Sequence, residues 1–503
     1  MKFLKKFMFR RATLVTLAIL MQLAFLVWIV LEFQYFIYFY IFSLTISGIV
    51  VLGIINSENK YIYKIAWIIP ILIFPIFGGI FYVFFGLNPL SRKMKKDLDM
   101  INLDTKKTLM KETDILNELP PQARIQSNYL YHNAFMPLYK NTDVEYLHNG
   151  EVTFKRLVEE LEKAEKYIFL EYFIIKQGYM WNRILEILIR KAKAGVDCRV
   201  IYDDFGCLLN LPHNYHKYLE KYGIKCAIFN PIIPILAKRH NTRNHRKIAV
   251  IDGKVAFTGG INIGDEYINK YSRYGYWKDT AIMLKGEAVW SFTVMFLTMW
   301  CYITKTKEEY EQYKANPSYD KGEGYVQPFN DNPIDNENVG EIVYLNLINK
   351  ATKSIYITTP YLIIDSEMLT ALTSAAKAGL DVRIITPHIP DKWYVHIVTQ
   401  SYYKILLKSG VKIYEYKPGF IHAKMMMVDD EYGVIGTINM DFRSLYLHFE
   451  CGVWLYQTSC IKDMTRDFLD TLEKSEMITL DYFKGKWLKQ LIAMVFRIFA
   501  PLL

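Results

Sequence analysis

The chain has 503 residues, enough for more than one domain, and 52% of them are hydrophobic, a high fraction for a purely soluble protein that suggests a membrane part. The net charge of +10 suits anionic partners, whether lipid surfaces or nucleic acid. Six cysteines stand scattered without C-x-x-C spacing, which argues against a disulfide framework or a cysteine zinc site and agrees with a reducing compartment.

Three apolar runs open the chain, at 12–31, 35–55 and 65–85. Each is near the roughly 20 residues that cross a bilayer. No small-residue cleavage site precedes the second run, so a removable signal peptide fits poorly. Trp28, Tyr35, Tyr61, Trp67 and Tyr82 stand where membrane interfaces would fall. The start, MKFLKKFMFRR, and the stretch SRKMKKD are both basic, and the positive-inside rule places both in the cytoplasm. Three full crossings cannot satisfy both. The third run carries Pro70, Pro75, Gly78 and Gly79, which fit a broken or re-entrant segment. The alternative is three true spans with the catalytic part outside. Residues 1–86 are thus expected to anchor in the membrane, and 87–143 to form a basic linker with a surface helix.

A first lobe is expected over 144–304. FKRLVEELEKA is an amphipathic helix and KYIFLEYFII a buried strand. WNRILEILIRKAKAGVD is a helix closed by Gly195, and CRVIYDDFG the next strand and loop. Alternating strand and helix predict an α/β fold with a largely parallel sheet. Another strand starts near Asp279 and a helix follows it. Residues 305–338 read as helix end and linker. A second lobe over 339–482 repeats the first: AKAGVDCRVIYDD matches AKAGLDVRIITPH, and HRKIAVIDGKVAFTGGIN matches HAKMMMVDDEYGVIGTIN. The last segment, 483–503, is basic and apolar at helical spacing. It reads as a core-packed helix ahead of one lying on the membrane or docked on the N-terminal segment.

The repeated pattern carries the chemistry. His245, Lys247 and Asp252 precede Gly259 to Asn262, and His422, Lys424 and Asp429 precede Gly436 to Asn439. IAVID and MMMVD suit strands, and Asp252-Gly253 is a hairpin turn signal, so each copy reads as a β-hairpin. Residues two apart on a strand share a face. Each histidine therefore stands beside a fixed positive charge, a pairing that suits a phosphate. The imidazole attacks or moves protons, and the ammonium balances oxyanion charge. One such pair would mean little, but two with the same spacing and the same downstream Gly-x-x-Asn do not fit chance. No metal cluster, Walker loop or dinucleotide fingerprint stands in the sequence.

These residues resemble the twin His-Lys-Asp motifs of the phospholipase D superfamily. The stretches KIAWIIPILIFPIFGGIFYVFFG, TTPYLIIDSEML, IPDKWYV, YYKILLKSGVKIYEYKPGFIHAK and GTINMDFRSLYLHFE, and the final Pro-Leu-Leu, narrow the resemblance to bacterial cardiolipin synthases over nearly the whole chain. His448 departs from it, standing where asparagine is frequent. The resemblance implies an α/β fold with two pseudo-symmetric phospholipase D-like lobes sharing one site, behind an N-terminal helical transmembrane segment. It implies transfer of a phosphatidyl group between two phosphatidylglycerol molecules, giving cardiolipin and glycerol through a phosphatidyl-histidine, with no metal or other cofactor. With water as acceptor, the same residues would hydrolyse phospholipid to phosphatidic acid.

His245 is the expected nucleophile and His422 the acid and then the base, although a symmetric sequence allows the reverse. Lys247 and Lys424, helped by Asn262 and Asn439, are expected to bind phosphoryl oxygens. Asp252 and Asp429 are expected to order the imidazoles or the lobes. A buried carboxylate is costly unless paired, so Glu171 and Glu450 are each expected against a site histidine or a nearby arginine. Arg443 and Ser444 are expected to line the pocket. The expected setting is a bacterial cell membrane, multi-pass, with the lobes on the cytoplasmic face. The expected partner there is anionic phospholipid (phosphatidylglycerol, cardiolipin), and no nucleic acid.

Overall fold

The computed structural model describes residues 36–57, 60–75, 114–232, 242–315, 322–333 and 337–500, with isolated residues and short stretches elsewhere, chiefly between 20 and 110. The first half supplies β1 (Thr142–Leu147), β2 (Tyr167–Tyr172), β3 (Asp197–Asp203), β4 (Lys225–Phe229), β5 (Arg243–Asn244), β6 (Lys247–Ile251), β7 (Val255–Gly259) and β8 (Ala281–Gly286). The second supplies β9 (Tyr325–Asp331), β10 (Ser354–Thr358), β11 (Asp381–Pro387), β12 (Lys412–Tyr416), β13 (Met425–Val428), β14 (Tyr432–Gly436), β15 (His448–Tyr456) and β16 (Ser475–Ile478).

One sheet runs β1-β8-β7-β6-β2-β3-β4 and the other β16-β12-β11-β10-β13-β14-β15-β5. Without the extra edge strands the two share one order, β8-β7-β6-β2-β3-β4 against β15-β14-β13-β10-β11-β12, which is the repeat read from the sequence. β2, β3 and β4 are parallel, as are β10, β11 and β12, and each motif forms the antiparallel hairpin beside them. The central strands are buried on both faces, so β2 reads as the continuous run YIFLEY rather than as an alternation.

Helices Gly150–Lys163 and Tyr179–Lys193 cover the outer face of the first sheet through Leu157, Leu161, Ile184 and Leu188. Helix Val289–Thr304, apolar nearly all round, is buried in the core that spans both lobes. The two sheets also touch through backbone. β5 of the first half pairs with the start of β15, and Lys278 forms a bridge to Ile421. Each contact leads the chain directly into a histidine of the repeated motif.

Two elements differ from the sequence reading. The segment 305–338 holds β9, which pairs with β15 over Tyr325–Asp331. Pro328 within that run argues against a strand locally, and its partner lies more than a hundred residues away. The C-terminal helix Trp487–Ile498 is not core-packed: Ala493 is its one buried residue, while Trp487, Leu488, Leu491 and Met494 are exposed. It lies along helix Trp393–Lys408 and touches helix Tyr61–Ile73.

Of the three apolar runs, 12–31 lies largely outside the described residues. The second forms helix Phe36–Ile55, which carries no charge. Among the described residues no helix is long and apolar enough to cross a membrane. The third run forms helix Tyr61–Ile73 and then turns back. A Cβ on Gly78 would lie 2.5 Å from Ile71 Cα, and the Tyr82 ring meets Trp67 edge-on at 5.2 Å. In a continuous helix the residues of that second pair would stand roughly 22 Å apart along the axis. Ser47 Oγ donates to Pro75 O at 2.7 Å and ties the turn to the preceding helix.

Candidate active site

The motif hairpins set the histidines. Asp252 (φ 54°) and Gly253 (φ 66°) make a left-handed turn after β6, and Asp429 (φ 56°) and Asp430 (φ 58°) make its counterpart after β13. Successive positive φ values match the twist of tight hairpins. His245 precedes β6 and His422 precedes β13. Each is buried between the lobes, and each is oriented by a carboxylate from the opposite half. His245 Nδ1 is 2.8 Å from Glu450 Oε1 and 3.0 Å from Oε2, and His422 Nδ1 is 2.6 Å from Asp279 Oδ2. A carboxylate on Nδ1 fixes the tautomer that leaves Nε2 for chemistry.

The two imidazoles differ in their surroundings. Burial, then the charges of Lys247 and Lys424, hold His245 well below its ordinary value. Burial and Lys424 lower His422 to about 4, against the opposing pull of Asp279. Trp277, Phe420 and Tyr267 wall His422 at ring distances of 5.5 to 5.8 Å, and Phe173 packs on His245 at 5.1 Å. Burial raises Glu450 to about 7. Burial would raise Asp279 as well, but the charges of His422 and Lys424 outweigh it and hold its carboxyl below the ordinary value. Both imidazoles are therefore held below their ordinary value, His422 against the opposing pull of Asp279.

Lys247 and Lys424 share a face with their histidines, as period two requires, and each ammonium donates to the histidine backbone carbonyl two residues before it. Burial lowers Lys247 to about 7 and Lys424 to about 8. An anion entering between them would restore their charge.

The downstream glycine motifs break the symmetry of the repeat. A Cβ on Gly260 would collide with Asp279 Oδ1 and stand 2.9 Å from His422 O, so only glycine leaves room for that pair. The second copy has Thr437 at this place, and its hydroxyl donates to Glu450 Oε2.

Other expected residues are placed as follows. Asp252 accepts from the backbone amides of Glu165, Lys166 and Tyr167, and Asp429 from those of Thr352, Lys353 and Ser354. Both lie at the turn end, about 20 Å along the strand from the histidine of their motif, so they order the lobe and not the imidazole. Glu171 pairs with Arg246 at 2.8 Å and accepts from Asn244 at 2.7 Å, bracing both neighbours of His245. Asn262 is spent on positioning, through Ile174 N and Tyr267 Oη. Asn439 Oδ1 is buried with no hydrogen-bond partner among the described residues. Ser444 is buried beside Glu450, and the charge of Arg443 reaches His448.

The sequence reading missed Asp279 as a site residue. Its signal was the place of Trp277-Lys278-Asp279 at the mouth of β8, but nothing local marks a carboxylate that serves the other lobe. His448 also stands at the site, its ring 5.7 Å from His245 and both nitrogens without a hydrogen bond among the described residues. His245, His448 and Glu450 bring one potential metal-ligand atom each within 4.8 Å, as do Glu341, Asp365 and Glu367. In the first set His245 already holds Glu450; in the second Lys60 bridges all three carboxylates.

The family model described as "Cardiolipin synthase, PLD-like domain" matches residues 157–288 and 344–472, one match per lobe. The chain belongs to the cardiolipin synthase family. The model "Phospholipase_D-nuclease N-terminal" matches residues 44–86. A cardiolipin synthase of Geobacillus sp. (strain WCH70) is 38% identical over 464 residues, 91% of this chain and 92% of its own. Cardiolipin synthase 2 of Bacillus anthracis is 37% identical over 479 residues, 91% and 90% of the two chains. The crystal structure of phosphatidylserine synthase from Haemophilus influenzae Rd KW20 covers 74% of this chain and all of its own at TM-score 0.55 and 14% identity, which shows a shared fold.

Proposed function

We propose that this chain is a membrane phosphatidyltransferase that joins two phosphatidylglycerol molecules into cardiolipin and releases glycerol. The observation that carries the mechanism is the crossed pair of imidazoles, each held at Nδ1 by the other lobe. His245 Nε2 attacks the phosphorus of the first lipid. The bond to the glycerol head group breaks, and His422 Nε2 protonates the departing alkoxide. A second phosphatidylglycerol then enters, His422 takes the proton from its glycerol hydroxyl, and that oxygen attacks phosphorus as His245 leaves. Lys247 and Lys424 balance the equatorial oxygens. The surroundings favour this assignment: the charge of Asp279 opposes the lowering of His422, so a proton is held more readily there than on His245, which is pushed further down.

In this proposal the chain is anchored in a bilayer by the N-terminal runs, with the lobes on the cytoplasmic face. The turned-back third run enters and leaves on one side. Two crossings plus this re-entrant hairpin keep both basic stretches, 1–11 and 91–96, inside.

The test uses solubilised protein and phosphatidylglycerol labelled in both the head group and the acyl chains. Cardiolipin and free glycerol are expected in equal amounts; phosphatidic acid in place of cardiolipin would make it a hydrolase. His422→Asn is expected to accumulate an acyl-labelled adduct on His245, and an adduct on another residue would reverse the assignment.

A further inference from the structure

Helices Trp393–Lys408 and Trp487–Ile498 enclose a groove of about 360 Å³, within the size range of small-ligand sites (about 300–1,000 Å³). Its floor is apolar, formed by Ile397, Ile405, Ala493 and Met494, and its rim carries Lys404, Lys408, Lys486, Lys489 and Arg497. Among the described residues no carboxylate lines it and none of these cations makes an ion pair. Lys486 and Arg497 lie instead over the rings of Tyr482 and Tyr402, at 3.5 and 4.2 Å. Glu415 stands behind Gln400, engaged by that amide and by His388. Five cations with no ion pair among the described residues repel one another around an apolar slot, and partial burial with the Lys486 charge holds Lys489 below its ordinary value against the pull of Glu415.

Both walls point to what fills it. Trp487, Leu488, Leu491 and Val495 project from the outer side of the C-terminal helix, the pattern of a helix lying in a membrane interface. That helix also touches Tyr61–Ile73 of the N-terminal segment, which sets the groove beside the anchor. A free phosphate would use the rim but leave the apolar floor wet, and a neutral lipid would use the floor but leave the charges unmatched.

We infer that this groove is a non-catalytic site for one anionic phospholipid, its acyl chain against Ile405 and Met494 and its phosphate among the lysines. The site is separate from the histidines yet connected to them by one helix. Asp391 and Lys392, at the start of helix Trp393–Lys408, are close enough for their charges to bear on Lys424 and His245, and Lys404 stands roughly 18 Å further along the same axis. The inference rests on the membrane reading above only in placing the groove at a bilayer.

The test uses full-length His245→Ala protein in detergent, so turnover plays no part. The probes are phosphatidic acid with a photoactivatable group in one acyl chain and the matched phosphatidylcholine, with crosslinks mapped to peptides. Phosphatidic acid is expected to label 393–408 and 482–498 in clear excess over phosphatidylcholine. Each lysine near a lipid phosphate is worth roughly fivefold, so Lys404→Gln, Lys408→Gln and Lys489→Gln together should cut that label by up to roughly a hundredfold. Label on peptides around His422 should stay unchanged, which also reports an intact fold. Equal labelling by the two lipids, label confined to the histidine pocket, or a triple variant that keeps its label would each overturn the inference. Catalytic failure of the histidine variants leaves these outcomes untouched.

Discussion

Glu450 and Asp279 make the same hydrogen bond to their histidines, but their differing ionisation makes separate predictions. An acid that protonates the leaving group matters most when that group leaves poorly. Asp279→Asn is therefore expected to lower kcat for phosphatidylglycerol by roughly 10²–10⁴, the range for losing general acid catalysis, and far less for a phosphatidyl ester of p-nitrophenol. Glu450→Gln should slow both substrates alike, because attack by His245 precedes either departure. Equal sensitivity in the two variants would exchange the roles. Lys247 adds a prediction of opposite sign for stability. The folded lysine titrates at about 7 against an ordinary 10.5, so between these values the unfolded chain binds a proton that the fold does not. Its contribution to stability therefore rises with pH across that window. Lys247→Met should raise Tm at pH 7, flatten that rise, and still cost roughly 10²–10³ in kcat as a lost oxyanion partner. A lower Tm would mean that Glu450 and Asp279 repay its burial.

The hairpins show why two near-identical motifs build an asymmetric site. In GGIN the second glycine clears space for Asp279, and in GTIN the threonine hydroxyl holds Glu450. Gly260→Ala is thus expected to displace Asp279 from His422, to reproduce the leaving-group dependence of Asp279→Asn and to lower Tm through an overpacking cost of about 1–3 kcal/mol. Asp252→Ala should act on stability alone. It strands the amides of Glu165, Lys166 and Tyr167 at about 1–3 kcal/mol for a buried unsatisfied group, lowers Tm, and leaves the leaving-group dependence intact. Two-substrate kinetics separate the two. Much of this was legible beforehand because strand, hairpin and His-x-Lys spacing are local. β2 announces itself as an apolar run, the first turn as Asp-Gly, and Glu171 as a carboxylate too costly to bury alone. What was not legible is non-local. Asp279 acts across the lobe interface, β9 finds its partner in β15, and the apolar C-terminal helix covers a groove rather than a core. Periodicity along one segment carries no information on which distant segment meets it.

Lys60 joins the N-terminal segment to the catalytic body. It lies between helices Phe36–Ile55 and Tyr61–Ile73, and its ammonium reaches Glu341 at 2.9 Å and Asp365 and Glu367 at 3.3 Å, all in the second lobe. Tyr446 Oη donates to Asp365 at 2.7 Å and closes the cluster beside the residues that follow the second motif. The loop holding Lys60 must therefore lie on the same side of a bilayer as the lobes. Under the membrane reading proposed above, with the third run turned back at Gly78, the loop, the lobes and both basic stretches would be inside and the connection near Gln34 outside. Single cysteines at Gln34, Ser57 and Lys462, in a chain with its six native cysteines replaced, test it with a membrane-impermeant maleimide. Intact spheroplasts should label position 34 alone, and inverted vesicles positions 57 and 462. If 57 and 462 label from opposite sides, the third run crosses the bilayer and the Lys60 cluster cannot form as drawn. If 57 and 462 label together from outside, the hairpin stands and the orientation is reversed, which would give the enzyme access to the outer leaflet's lipid instead.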